Sequence, residues 1–365
     1  MKSGKIIQSE LRKFCKSMQQ DKVGTYRYSE GCPTTLSASA FAGMTLGLIG
    51  DLEKLNKLER KMWVQYLQGC QNEETGLFIN PEFRKEDLHS KKHTEDLFHA
   101  HHSAFVMELL VRLGAKPKFP IRWVHKYREP ARMKEWIESQ QWDINAWVVG
   151  NWTYDMGCAM GMDYLVTGDE KVLDGMDAYF NWFDKHQMDT TGWWDLKGSS
   201  PLYQQQFGGY HTLMVYWMFD RPIGKADKII DSSLSLQKND GMFDPDGGGG
   251  CCQDMDVIDP LVTLGLATGY RERDIKEAFE RALPPILAKQ NKDGGFYDTL
   301  AWERAEFGWE LNKAKRGASD LCSCLFYGFT VSLAGEFLKD PNLMDTTWHH
   351  HQTYGHCVHK QTKLK

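Results

Sequence analysis

Asp240-Gly241-Met242-Phe243-Asp244-Pro245-Asp246 leads into Gly247-Gly248-Gly249-Gly250-Cys251-Cys252-Gln253-Asp254-Met255-Asp256-Val257-Ile258-Asp259-Pro260, and then into the apolar run Leu261-Val262-Thr263-Leu264-Gly265-Leu266-Ala267. Four consecutive glycines lose too much backbone entropy to join a regular element, so they read as a loop. Asp254, Asp256 and Asp259 then fall in the first turns of a helix, where the positive end of the dipole favours carboxylates. Pro260 places the start of that helix close by, because proline is tolerated in a first turn and not in a helix interior. Three carboxylates this close repel one another, so one of them holds its proton to higher pH. That makes a positioned acid.

The same turn recurs along the chain. Gly-x-aromatic occurs at Gly24-Thr25-Tyr26, Gly76-Leu77-Phe78, Gly150-Asn151-Trp152, Gly192-Trp193-Trp194, Gly241-Met242-Phe243 and Gly294-Gly295-Phe296, at near-regular steps apart from a longer one before Gly150. A glutamine stands before each: Gln20, Gln71, Gln141, Gln187, Gln237 and Gln290. The physical reading is a helix that ends, a glycine that supplies the turn, and an aromatic that plugs back against neighbouring helices. Glutamine side chains tie the exposed backbone of such ends together.

Two kinds of helix lie between the turns. Residues 37–49, 104–113, 156–165, 211–219, 257–266 and 321–333 are apolar nearly all round, which predicts helices buried on every side. Residues 52–71, 133–141, 170–187, 226–237 and 273–290 are amphipathic and charged, and suit an outer layer. Inner and outer helices that alternate in a regular repeat describe an all-α fold, an (α/α)6 toroid of six helical hairpins. No strand–helix alternation points to a parallel sheet. Residues 116–132, basic and carrying Pro117, are expected as a surface excursion over one mouth of the ring. Residues 1–340 are assigned to one domain and 341–365 to a loosely ordered tail rich in histidine (His349, His350, His351, His356, His359).

The element Trp63-Val64-x3-Gln68 leading to Gly76-x-Phe78, repeated at Phe183-x3-Gln187 with Gly192-x-Trp194 and at Ile286-x3-Gln290 with Gly294-x-Phe296, resembles the glutamine–tryptophan repeat of squalene and terpene cyclases. Protein prenyltransferase β subunits share that toroid. The resemblance spans about residues 10–338. It also implies a role for Asp254-Met255-Asp256, which looks like the cyclase Asp-x-Asp-Asp motif with Asp256 as the acid that protonates an alkene. Val257 stands where that motif has a further acid. The prenyltransferase zinc site would need an Asp-x-Cys pattern that the chain lacks, so neither zinc nor another cofactor is expected.

Composition narrows the function further. The chain has 365 residues, a net charge of −5 and dispersed lysines and arginines, which argues against a nucleic-acid partner. No run of about 18 apolar residues predicts a membrane span. The N-terminal stretch shows no signal-peptide core, and peripheral membrane contact is left open. Nine cysteines, an odd number lying mostly in apolar helical patterns, suit free thiols in a reducing, cytoplasmic compartment. The sequence leaves the oligomeric state open.

In such a ring the segments before inner helices crowd one mouth, and they carry the unusual polar residues. Asp256 is the expected general acid, with His211 as its relay and Asp254, Asp259 and Glu303 as further catalytic candidates. His102, Trp152, Asp155, Tyr210, Trp302 and Asp320 are the expected substrate-binding residues. Asp320, like Glu303, is also a candidate second member of a carboxylate pair. Three functions compete. The first is a terpenoid cyclase-like enzyme, with Asp256 starting a cyclisation or isomerisation of an isoprenoid. The second is a carbohydrate-active toroid, a glycan hydrolase, lyase or epimerase using paired carboxylates. The third is a toroid that binds a ligand without catalysis.

Overall fold

A computed structural model of the protein describes residues 2–90, 93–142 and 144–350. Its helices alternate along the chain as the periodicity predicts. The outer set is α1 (Gly4–Met18), α3 (Lys57–Gly69), α5 (Pro130–Glu138), α7 (Lys171–His186), α9 (Ala226–Ser235) and α11 (Glu272–Ala288). The inner set is α2 (Leu36–Leu48), α4 (Glu95–Arg112), α6 (Ala146–Thr167), α8 (Leu202–Met218), α10 (Cys251–Thr268) and α12 (Leu321–Leu338). Each inner helix touches the next, and α12 returns to α2, so the six close into a ring. The inner helices are apolar on all sides because neighbours and outer helices cover every face. α12 has the length and apolarity of a membrane span, yet 89% of it is buried within the ring. Two short antiparallel pairs, β1 (Tyr26–Arg27) with β2 (Thr34–Thr35) and β3 (Arg304–Ala305) with β4 (Lys313–Ala314), decorate the loops.

The turns follow the predicted physics at five of the six places. Gly24, Gly76, Gly192, Gly241 and Gly294 all have positive φ, a region that side chains disfavour. The preceding glutamine then bonds backbone groups that the turn leaves open. Gln71 Nε2 donates to the carbonyls of Gly76 (2.8 Å) and Phe119 (2.9 Å), while its Oε1 accepts from the amides of Lys118 and Phe119. Gln187 bridges Gly192 to Gly224, and Gln237 bridges Gly241 to Ala278. Each of these glutamines thus sews one hairpin to the next. In the first hairpin the strand-like pairing to the aromatic is made by Gln19 with Tyr26 rather than by Gln20, matching Gln71 with Phe78 and Gln290 with Phe296.

Gly150 is the exception. It lies inside α6, facing Gly208 of α8, and a Cβ there would overlap the Gly208 backbone. Close helix approach, not a turn, is its purpose. The inner helices also begin earlier than their apolar runs suggest: α4 at Glu95, α6 at Ala146, α8 at Leu202 and α10 at Cys251. Pro260 therefore lies inside α10. It has no amide to give to the carbonyl of Asp256. Gln206 Nε2 of α8 donates to that carbonyl instead (2.8 Å), and Ser233 Oγ donates to Gln206 Oε1 (2.8 Å).

Residues 116–132 do not lie free over a mouth. A 3-10 helix, Arg122–Arg128, packs against α5, α6 and α7, with Ile121 and Val124 fully buried. Arg128 pairs with Asp163 and Asp169. The chain beyond residue 340 also docks, as far as it is described. Leu343 and Trp348 are buried, the amide of His349 donates to Leu48 O (2.8 Å), and His350 Nε2 meets Ser332 Oγ (2.8 Å). His351, His356, Cys357 and His359 fall outside the described residues.

Candidate active site

Helices α4, α6, α8, α10 and α12 converge on a cavity of about 240 Å³. Several of the polar residues that break the apolar pattern of these helices, among them His101, His211 and Asp256, line it. Asp256, Cys252 and Met255 come from α10, His211 from α8, His101 and Phe105 from α4, and Cys322 and Phe326 from α12. Asn145, Trp147, Val148 and Asn151 come from the start of α6. The long connection between α11 and α12 adds Arg304, Glu306 and Phe307. Phe307 has positive φ, a left-handed conformation costly for a large side chain. Its ring is held between His93 (centroids 4.3 Å) and His101 (4.2 Å), both nearly parallel to it.

The three aspartates of the glycine-loop segment have separate fates. Asp256 is fully buried at the cavity wall, and neither carboxyl oxygen has a hydrogen-bond partner among the described residues. Burial, reinforced by negative charge on Cys252 and by Asp259 and Asp254, pushes its carboxyl well above the usual range and so favours its protonated form. Asp254 points away into the turn. It accepts the Phe243 amide (2.9 Å) and the Tyr327 hydroxyl (3.2 Å), and burial raises its carboxyl to about 7. Asp259 accepts from Tyr210 (2.8 Å) and Thr263 (3.0 Å) deeper in the ring. Asp254, Asp259 and Tyr210 are thus joints between helices, and none of them lines the cavity.

His102 bonds Glu306 (Nε2 to Oε2, 2.7 Å), and its Nδ1 donates to the carbonyl of Phe98 (2.7 Å). Burial works against both charges. The imidazolium of His102 nonetheless holds the Glu306 carboxylate below its usual range, and Glu306 raises His102. His101 meets Asp155 (Nδ1 to Oδ1, 3.0 Å). Burial drives this pair the other way, with His101 lowered to about 3 and Asp155 raised well above the usual range, so the two are neutral. His211 is likewise lowered to about 3 by burial.

The remaining candidates sit elsewhere. Asp320 caps α12, accepting from the amide (2.8 Å) and hydroxyl (2.7 Å) of Ser323. Glu303 is exposed and pairs with Lys313 (3.0 Å). Trp302 is half exposed beside it. Trp152 stacks on Trp123 of the 3-10 helix (6.2 Å) and does not line the cavity. The carboxylate brought to the wall is Glu306, a little further along the chain than Glu303. One signal marks this region in the sequence. Residues 297–320 form an unusually long connection into an inner helix, and long loops in compact domains tend to carry function.

Cys251, Cys252 and Cys322 bring their sulfurs within 4.8 Å of one another. The Arg304 guanidinium already donates to all three, at 3.0, 3.4 and 3.3 Å, and pairs with Asp298 (2.9 Å). A zinc ion on these thiols would have to displace that guanidinium, so the cluster does not fit the zinc site of prenyltransferases.

Among solved structures the chain is similar to a polysaccharide lyase (13% identity, TM-score 0.49, covering 92% of this chain and 98% of that chain). It is also similar to a family-88 glycosyl hydrolase from Bacteroides vulgatus (12%, TM-score 0.48, 92% and 99%) and to a family-76 α-mannanase from Bacteroides thetaiotaomicron (10%, TM-score 0.41, 92% and 96%). No curated protein matches the sequence. The prenyltransferase alpha-alpha toroid domain profile matches residues 2–164 and 156–304. With its closed ring of six inner helices and its glutamine-stitched turns, the chain belongs to the prenyltransferase alpha-alpha toroid domain family.

Proposed function

We propose that the protein is a carbohydrate-active enzyme that cleaves a glycosidic bond, with Asp256 as general acid and Glu306 as the ionised carboxylate in the same cavity. One observation carries this reading: two carboxyl groups line one cavity, and burial pushes Asp256 up while the His102 imidazolium, against burial, holds Glu306 down. Such a split is how a protein assigns acid and base to chemically similar side chains. Asp256 gives its proton to the bridging oxygen as the bond to the anomeric carbon breaks. Water adds to that carbon, and Glu306 takes the proton the water releases. Trp147 offers a face for a sugar ring, and Asn145 and Asn151 offer partners for its hydroxyls.

Proton-initiated cyclisation of an isoprenoid would use the same Asp256, and the faces of Phe105 and Phe326 could stabilise a cation. The Glu306–His102 ion pair and the Arg304 guanidinium favour a hydroxylated substrate over a hydrocarbon. The test is turnover of aryl glycosides and uronate-containing oligosaccharides, with isoprenoid diphosphates in parallel. Wild-type protein is expected to cleave a glycan, and Asp256→Asn and Glu306→Gln each to lose at least about 10²-fold. Conversion of isoprenoids with glycans inert, or full glycan cleavage by Asp256→Asn, would overturn the proposal.

A further inference from the structure

The three-cysteine cluster under Arg304 is not used by the acid–base chemistry. Cys251 and Cys252 are the first two residues of α10, and Cys322 is the second residue of α12. Two helix N-termini therefore aim their positive ends at the same sulfurs. Arg304 adds a full charge, bonded to all three and fixed by Asp298. Cys252 alone of the three is partly exposed, and it faces the cavity.

We infer that Cys252 is a nucleophilic thiolate open to peroxides and small soft electrophiles entering the cavity, with Cys322 as its resolving thiol. Hydrogen bonds from Cys251 and Cys322, together with Arg304, draw the Cys252 thiol well below its ordinary value, while burial raises Cys251 and Cys322. One sulfur is thus ionised, and its neighbours remain thiols able to donate to it. The Cys252 sulfur attacks one oxygen of a hydroperoxide and the O–O bond breaks. The other oxygen leaves with a proton as water or alcohol, and Cys252 becomes a sulfenic acid. The Cys322 sulfur then attacks the Cys252 sulfur, gives up its proton, and the sulfenic oxygen leaves as water. The disulfide joins α10 to α12. Cys251 is the poorer partner, because it shares a helical turn with Cys252 and a bond between adjacent residues would distort that turn.

The experiment uses the full chain and needs no substrate. Iodoacetamide labelling near pH ~6, followed by peptide mapping, is expected to modify Cys252 at least about tenfold faster than the partly exposed Cys70 and Cys32. One equivalent of hydrogen peroxide should yield a Cys252–Cys322 cross-linked peptide. In Cys322→Ala the same treatment should leave a sulfenic acid on Cys252 that dimedone captures. Labelling of Cys252 no faster than of Cys70, or peroxide treatment that leaves both thiols free, overturns the inference. Because wild-type protein supplies both readings, a poorly folded variant cannot obscure them.

Discussion

Asp254 and Asp256 stand two positions apart on one helix and behave differently because of what faces them. Asp254 has an amide and a hydroxyl to accept from, and burial leaves its carboxyl near 7. A carboxyl raised in the folded state from its ordinary 3.8 adds stability that is fully present below that value. The contribution shrinks as the pH rises and is gone above about 7. Urea unfolding at intervals across this window should show stability falling with pH, and Asp254→Asn should flatten the slope. Asp256 has no such partners, and its proton is expected to govern activity. Turnover should rise from acid pH as Glu306 ionises and fall again as Asp256 loses its proton well above the usual carboxylate range. In Asp256→Asn the alkaline limb should vanish along with most of the rate. These differences were only half legible in the sequence. The spacing of the aspartates shows that they share a helix start, whereas which of them turns toward Phe243, Tyr210 or the cavity depends on neighbours brought from other hairpins.

Among the elements, the glutamine-stitched turn was the clearest feature in the sequence, since glycine and glutamine mark it without help from tertiary context. Gln71→Ala would strand two carbonyls and two amides at a buried seam, and is expected to lower unfolding free energy by about 2–4 kcal/mol. Gln68 makes one exposed bond to Lys116, and the same change there should cost under about 1 kcal/mol. Chemical denaturation of the two variants side by side checks the contrast. Gly150 misled the reading because a glycine followed by an aromatic looks the same whether it turns a loop or admits a neighbouring helix. Gly150→Ala would press a methyl into Gly208, and should destabilise by roughly 1–3 kcal/mol, as overpacking does. The starts of the inner helices were missed for a related reason. His101, His211 and Cys252 are polar where periodicity asks for apolar residues, and the space around a cavity is where an inner helix can carry them.

For the molecule as a whole, ring closure falls to α12, which meets both α2 and α1. The segment after residue 340 lies over this junction, with Leu343 against α1 and α12 and His349 bonded to the end of α2. Leu343 and Trp348 are both buried there. Ending the chain at residue 340 should therefore lower the melting temperature by several degrees, since burying a large apolar side chain is worth roughly 1.5–3 kcal/mol. A calorimetric scan of the shortened chain tests this; an unchanged transition would show that the ring holds without its strap. The sequence marked the tail by its histidines and missed Leu343 and Trp348, because isolated apolar residues in a polar run carry no period.

Phe307 keeps a left-handed backbone because two imidazole faces grip its ring. A residue in that region releases on the order of 1–3 kcal/mol when it relaxes. The strained backbone at Phe307 is therefore offset by flat contact with His93 and His101. Burial lowers His101 to about 3, so mild acid leaves the imidazole on that side of Phe307 uncharged and the flat contact intact.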